Sequence, residues 1–193
     1  MREKILIKKI LVLGIVLLGS IYSSSQAQAG WTNWVWNCTQ PVKEETESLP
    51  LTCSSEKYVK GIQIGGASTH DTEAIFIKVK CDGSSWTNWV WGGIGRGSPL
   101  FEGNKLICSG ESYARGIQIG GTSHDWNEYF YIRMLCGDTW TPWVCYGPSC
   151  FSMTSQSPEL ICSEGEYMAG VQIGESTHKD HNHQCFKIRI LCK

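Results

Sequence analysis

The segment from Cys108 to Cys136, CSGESYARGIQIGGTSHDWNEYFYIRMLC, constrains this chain more than any other. It occurs three times in recognisable variants, and each copy opens and closes on a cysteine. A tryptophan-rich run precedes each copy: Trp31-Thr32-Asn33-Trp34-Val35-Trp36, then Trp86-Thr87-Asn88-Trp89-Val90-Trp91, then Trp140-Thr141-Pro142-Trp143-Val144-Cys145. The repeating units are therefore 31–85, 86–139 and 140–193, of 55, 54 and 54 residues. Self-similarity at a fixed period is the signature of a repeat architecture. A unit of about 55 residues buries too little surface to be stable alone, so the three are expected to form one closed domain with pseudo-threefold symmetry.

Each unit reads as four strands. The first is the Trp-Thr-x-Trp-Val segment, rich in aromatic and β-branched residues. A dissimilar loop follows, charged in Gln40–Ser48 and glycine-rich in Gly92–Gly97. The second strand is short and ends on a cysteine, as in Leu106-Ile107-Cys108. Five residues later Tyr58, Tyr113 or Tyr167 opens the third strand, which runs through Gly-Ile-Gln-Ile-Gly or its near twin. Alternation puts its two apolar branched residues on one face and Gln63, Gln118 or Gln172 on the other. The fourth strand alternates most clearly: Ile75, Ile77 and Val79, then Phe130, Ile132 and Met134, then Phe186, Ile188 and Ile190 share one face, and Lys78, Arg133 and Arg189 fall on the solvent side. No apolar period of 3.6 survives beyond the N-terminal segment, so no helix is expected. The fold class is all-β, with a β-prism-like arrangement of three sheets; a β-trefoil is the alternative, although its usual Gln-x-Trp signature is missing.

The first 29 residues read as a signal peptide. Arg2, Lys4, Lys8 and Lys9 precede the apolar run Ile10–Tyr22, and Ala27-Gln28-Ala29 is a small-residue cleavage signature. That run is short for a membrane span, and no second one follows. The leader takes four of the 17 basic and one of the 18 acidic residues, leaving 13 and 17, a net charge of −4. No basic block remains to track a phosphate backbone, which argues against a nucleic-acid partner. All ten cysteines follow the leader, and an even count in an exported chain reads as a disulfide framework. Units that fold alike close alike, which pairs Cys53 with Cys81, Cys108 with Cys136 and Cys162 with Cys192, at separations of 28, 28 and 30. The pairing of Cys38, Cys145, Cys150 and Cys185 stays open.

The histidines carry the sharpest chemical signal. Three of the five fall at one repeat position, in Thr69-His70-Asp71, Ser123-His124-Asp125 and Thr177-His178, with Asp180 two residues on. Three readings fit them. They close a turn through side-chain hydrogen bonds, they line a polar pocket for a small ligand, or they converge on a shared axis to hold a metal. The denser run of His178, His181, His183 and Cys185 matches no zinc-site spacing and reads as a solvated loop. The mature chain carries nine tryptophans. Core packing accounts for most of them; an exposed platform for sugar rings is the functional reading, and Trp126, beside His124 and Asp125, is its best candidate. No G-x-S-x-G elbow is present, and ten paired cysteines leave no thiolate nucleophile. A two-carboxylate hydrolase sits poorly with threefold repetition, so no catalytic residue, cofactor or metal is assigned. Asn37-Cys38-Thr39 matches a glycosylation acceptor.

The unit resembles the repeat of the dermatopontin family. The matching residues are Cys108, Tyr113, Gly116, Ile117, Ile119, Asp125, Trp126, Phe130 and Cys136, with parallel sets in the other units. The family's Asp-Arg-x-Trp signature is absent, because Asp125 is followed by Trp126 and Asp71 by Thr72. The resemblance implies extracellular adhesion or carbohydrate binding without catalysis. The expected function is thus a secreted or periplasmic lectin-like protein with up to three equivalent sites, facing glycans on a cell surface or matrix. Gln118, His124, Asp125, Trp126 and Arg133 form the fullest site; Gln63, His70, Asp71 and Lys78, and Gln172, His178, Asp180 and Arg189, are its counterparts. The alternative is an inhibitor or toxin-associated protein that binds a host protein through the variable loops Gln40–Ser48, Gly92–Gly97 and Tyr146–Gln156.

Overall fold

The computed structural model describes residues 30–37, 44–67, 74–92, 98–122, 129–146, 152–177 and 184–193. Unit one contributes β1 (Gly30–Trp31), β2 (Val35–Trp36), β3 (Glu44–Glu47), β4 (Leu51–Thr52) and the long hairpin β5 (Val59–Ala67) and β6 (Ala74–Cys81). Unit two contributes β7 (Val90–Gly92), β8 (Phe101–Glu102), β9 (Leu106–Ile107) and the hairpin β10 (Ala114–Gly121) and β11 (Phe130–Cys136). β12 (Thr139–Trp140), β13 (Val144–Cys145), β14 (Ser155–Gln156), β15 (Leu160–Ile161) and the hairpin β16 (Met168–Thr177) and β17 (Gln184–Cys192) follow. The described residues hold no helix, and the all-β class expected from the pattern is what the chain adopts.

The strands form three curled antiparallel sheets, and no sheet belongs to one unit. The hairpin β5–β6 is flanked by β7 on one side and by β8 and β9 on the other. The hairpin β10–β11 is flanked by β12 and β13, and by β14 and β15. The third sheet joins the ends of the chain: β17 pairs with β1 and β2, and β16 pairs with β3 and β4. Each long hairpin is thus completed by the short strands of the unit that follows it, and the last by those of the first.

Hydroxyl residues replace ladder positions at two points where the flanking strands break. The predicted first strand is split, because Thr32, Thr87 and Thr141 each donate their backbone N–H to the hairpin (to Ile190, Val79 and Met134, at 2.8–2.9 Å). Their Oγ1 atoms accept from the N–H of those same residues at 3.0–3.1 Å. On the other flank, Ser48 and Ser157 accept from the N–H of Ile173 and Ile119 at 3.2 Å. The threonine conserved in register across Trp-Thr-x-Trp is therefore a side chain doing a backbone's job. The charged stretch Gln40–Ser48, expected as loop, contains β3, which pairs with Gly174–Thr177 of the last unit. Its Glu-Glu-Thr-Glu composition is poor for a strand; the unpaired edge of β16 imposes the conformation.

The inner faces of the hairpins supply the core. Ile62, Ile64, Ile75, Ile77, Val79, Ile117, Ile119, Phe130, Ile132, Met134, Val171, Ile173, Phe186, Ile188 and Ile190 are all within 2% of full burial. These are the apolar alternation positions of the third and fourth strands. The three expected disulfides are present, Cys53–Cys81, Cys108–Cys136 and Cys162–Cys192, with Cα separations of 5.7, 5.3 and 5.5 Å. Each closes a loop of about 30 residues and contributes roughly 3–4 kcal/mol in the chain-entropy account. Cys145 and Cys185 are disulfide-bonded as well. Such a framework belongs to an oxidising, extracellular or periplasmic environment. No helix among the described residues is long and apolar enough to cross a membrane.

The first glycine of Gly-Ile-Gln-Ile-Gly and its counterparts make the sharing of sheets possible. A Cβ on Gly61, Gly116 or Gly170 would lie 2.8, 2.6 or 2.7 Å from the carbonyl oxygen of Leu106, Leu160 or Leu51. Only a residue without Cβ lets the next unit's short strand approach. A bulge just before each of these glycines turns a carbonyl outward, and Lys60, Arg115 and Ala169 there accept the N–H of Cys108, Cys162 and Cys53 at 2.8–2.9 Å.

Candidate functional site

The outer face of each hairpin carries a second, polar and aromatic layer. Gln63, Gln118 and Gln172 lie on the face opposite the isoleucines, as alternation requires, but they do not face solvent: their exposures are 4%, 6% and 5%. The following unit covers them. Their Nε2 atoms donate to the carbonyls of Gly103, Ser157 and Ser48 at 2.9, 2.7 and 2.7 Å. The face away from the core, to which alternation assigns these glutamines, is therefore enclosed at their positions and not open to solvent, because the neighbouring unit folds over each of them.

The basic residues beside them are also engaged. Arg133 donates through Nε to Gln118 Oε1 at 2.8 Å and through a terminal nitrogen to Glu159 at 3.0 Å. Its guanidinium carbon lies 4.5 Å from the ring centre of Trp140 and 4.9 Å from that of Trp143. Arg189 donates twice to Gln172 Oε1, at 2.9 and 2.7 Å, between Trp31 at 5.1 Å and Trp34 at 4.6 Å. Lys78 lies 4.2 Å from the Trp89 ring and 5.7 Å from that of Trp86, with Glu102 at 3.9 Å. The spacing of three between the tryptophans brackets one cation in every sheet. A cation over an indole face is stabilised by the ring quadrupole, by about 0.5–2 kcal/mol depending on desolvation.

The three ladders then diverge. In the sheet that joins the chain ends, Lys187 extends the series: it is 1% exposed, 4.5 and 5.3 Å from Trp34 and Trp36, and 2.8 Å from Glu47. Strand register places Phe76 and Tyr131 at the same point in the other hairpins. Phe76 packs on Trp91 with ring centres 6.2 Å apart. Burial pushes the Tyr131 phenol above its usual range, with Tyr129 adding to it. The eight described tryptophans are half-buried; all but Trp91, which packs on Phe76, lie beside a cation.

A different constellation sits where the hairpins open toward their disulfides. Tyr58, Tyr113 and Tyr167, one from each unit, are in mutual contact, with ring centres 5.4, 5.3 and 5.5 Å apart. The Tyr113 hydroxyl donates to Asp82 at 3.0 Å, and Lys60 Nζ lies 4.7 Å over its ring. The hydrogen bond to the Asp82 carboxylate, and that group's charge, push the Tyr113 phenol up. The sequence signal was visible: a tyrosine stands five residues after the first cysteine of every copy.

Of the expected site residues, Gln118 is thus joined to Arg133 and Gln172 to Arg189, whereas Gln63 and Lys78 meet only through Glu102, and Gln63 Oε1 has no hydrogen-bond partner. His70, Asp71, His124, Asp125, Trp126, His178 and Asp180 lie outside the described residues. Among the described residues no three His, Cys, Asp or Glu side chains come together as a metal site. Asn37, the glycosylation match, is buried, and its Oδ1 accepts from the Phe186 N–H at 2.8 Å, so its side chain is part of the fold. No family model matches the chain, and no curated protein matches it.

Proposed function

We propose that this chain is a secreted, lectin-like carbohydrate-binding or adhesion protein whose three sheets form the faces of a β-prism-like domain, with up to three sites. The observation that carries the reading is the triplicate outer layer of tryptophan edges beside charged and amide groups, one layer per sheet. Indole surface next to hydrogen-bonding groups is the chemistry that sugar rings require. Weak sites in triplicate gain avidity on a surface bearing repeated glycans. The resemblance of the repeat to dermatopontin points the same way.

Within this reading the residues divide by task. The Gln–Arg pairs and Gln63 hold the frame, and ligand contact falls to the tryptophan edges together with His124, Asp125 and Trp126, with His70 and Asp71, and His178 and Asp180, as counterparts. A glycan array probed with the mature protein tests it: binding is expected, and His124→Ala combined with Asp125→Ala reduces it at least tenfold. Absence of any bound sugar at millimolar concentration overturns it.

One observation favours a second reading, a protein partner held through the variable loops. Leu49 and Leu100 are 77% and 61% exposed, and Phe101 is exposed beside Leu100. All three flank the dissimilar loop segments and have no apolar equivalent at the same register of the third unit, where Pro158, Thr154 and Ser155 stand. Substituting Leu100 and Phe101 by serine abolishes capture of such a partner and leaves sugar binding unchanged.

A further inference from the structure

We propose that the Tyr58–Tyr113–Tyr167 cluster is a site of oxidative cross-linking, at which two of the three rings become joined as dityrosine and lock units of the fold together covalently. This inference is independent of the lectin reading. Three phenol rings from three units, each about one ring contact from both others, are the arrangement that radical coupling needs: ring centres 5.3–5.5 Å apart, tilted by 54–71° rather than stacked. The rings are half-buried, partly exposed at the surface while held by the fold.

Tyr113 is the ring oxidised first. Loss of an electron from a phenol requires a base for its proton, and Asp82 is hydrogen-bonded to the Tyr113 hydroxyl at 3.0 Å. Lys60 over the same ring, at 4.7 Å, disfavours a ring that keeps its proton and becomes cationic, so electron and proton must leave together. Lys60 is itself fixed by the carbonyls of Gly110 and Ser112, at 2.6 and 2.8 Å. The oxidant is hydrogen peroxide acting through a peroxidase, which withdraws one electron at a time. Two phenols each lose one electron and the hydroxyl proton, and one peroxide is reduced to two waters. The two phenoxyl radicals couple carbon to carbon, each at a position ortho to its oxygen. The hydrogen on each coupled carbon then moves to the oxygen, restoring two aromatic phenols. The product is two hydrogen atoms lighter than the starting chain. An extracellular, disulfide-closed protein meets such oxidants.

The test treats the folded, full mature protein with a peroxidase and limiting peroxide at low protein concentration. The expected result is a monomer lighter by two hydrogens, with dityrosine fluorescence and a peptide joining Tyr113 to Tyr58 or Tyr167. Tyr113→Phe keeps the ring packing and should lower the yield at least tenfold. Asp82→Asn should lower it severalfold at neutral pH, and less in alkaline solution. Tyr129→Phe, outside the cluster, should change nothing. Cross-links found only between molecules, or only at Tyr129, Tyr131 or Tyr146, overturn the proposal, as does an unchanged yield in a folded Tyr113→Phe protein.

Discussion

The inner and outer faces of the same long hairpins obey different rules. Inside, the three units present nearly interchangeable residues: Ile77, Ile132 and Ile188 occupy one register position, and Val79, Met134 and Ile190 the next. Outside, one position holds Phe76, Tyr131 or buried Lys187, and the bracketed cation is Lys78, Arg133 or Arg189. The core asks only for volume without polar atoms, so its solutions converge. The outer layer must place the polar atoms that the covering unit encloses. It admits several solutions, each with its own acid, amide and cation, and in the first sheet Gln63 Oε1 is left without a hydrogen bond. Divergence among repeats is concentrated where the chemistry is specific.

Substitutions can break this contrast in order of size. Ile132→Ala, in the fully buried core, should lower unfolding free energy by about 2–5 kcal/mol, seen as a shifted denaturant midpoint. The corresponding change at Ile77 or Ile188 should cost the same within error if the core is interchangeable. The outer layer should be unequal. Glu47→Ala removes the carboxylate 2.8 Å from the buried Lys187 ammonium and should cost about 1–3 kcal/mol, whereas Lys187→Met removes the charge itself and should cost about 1 kcal/mol or less. An equal loss in the two variants would refute the view of Lys187 as a charge enclosed by packing. Arg133→Lys keeps the charge and loses the planar fork that joins Gln118 and Glu159; a loss of about 1 kcal/mol is expected.

The smallest effect is in alkaline solution. The Tyr113 phenol, held above its usual value of 10.0 by Asp82, remains protonated in the fold at a pH where an unfolded tyrosine has begun to ionise. Its contribution is therefore complete below the ordinary tyrosine range and is lost as pH rises through the raised folded value. Asp82→Asn should bring the Tyr113 titration, followed by phenolate absorbance or NMR, back toward 10.0.

Much of the interior could be read directly from residues. Period-two alternation in Phe130–Cys136 names the core-facing Phe130, Ile132 and Met134, although Tyr131 and Leu135 on the other face are buried too, and the spacing of 28 to 30 names the three disulfide partners. The sharing of sheets could not be read that way. Strand pairing between Gly174–Thr177 and Glu44–Glu47 joins residues 127 or more positions apart and leaves no local trace, since the glutamates of β3 argue for a loop. For the same reason Gln118 was assignable to a face but not to an environment: alternation gives direction, and only the next unit's Ser157 decides that the direction is covered. The stacking of Arg133 on Trp140 and Trp143 has the same origin, because the two tryptophans belong to the following unit.

The pairing of Gly30 with Cys192 has a consequence for synthesis. The first four strands wait for the last two before they have a partner, while Cys53–Cys81 and Cys108–Cys136 can each close as soon as their own hairpins emerge. Folding of a chain delivered from its N-terminus therefore ends where it began. The strands β1 to β4, made early, are fixed only when β16 and β17 arrive.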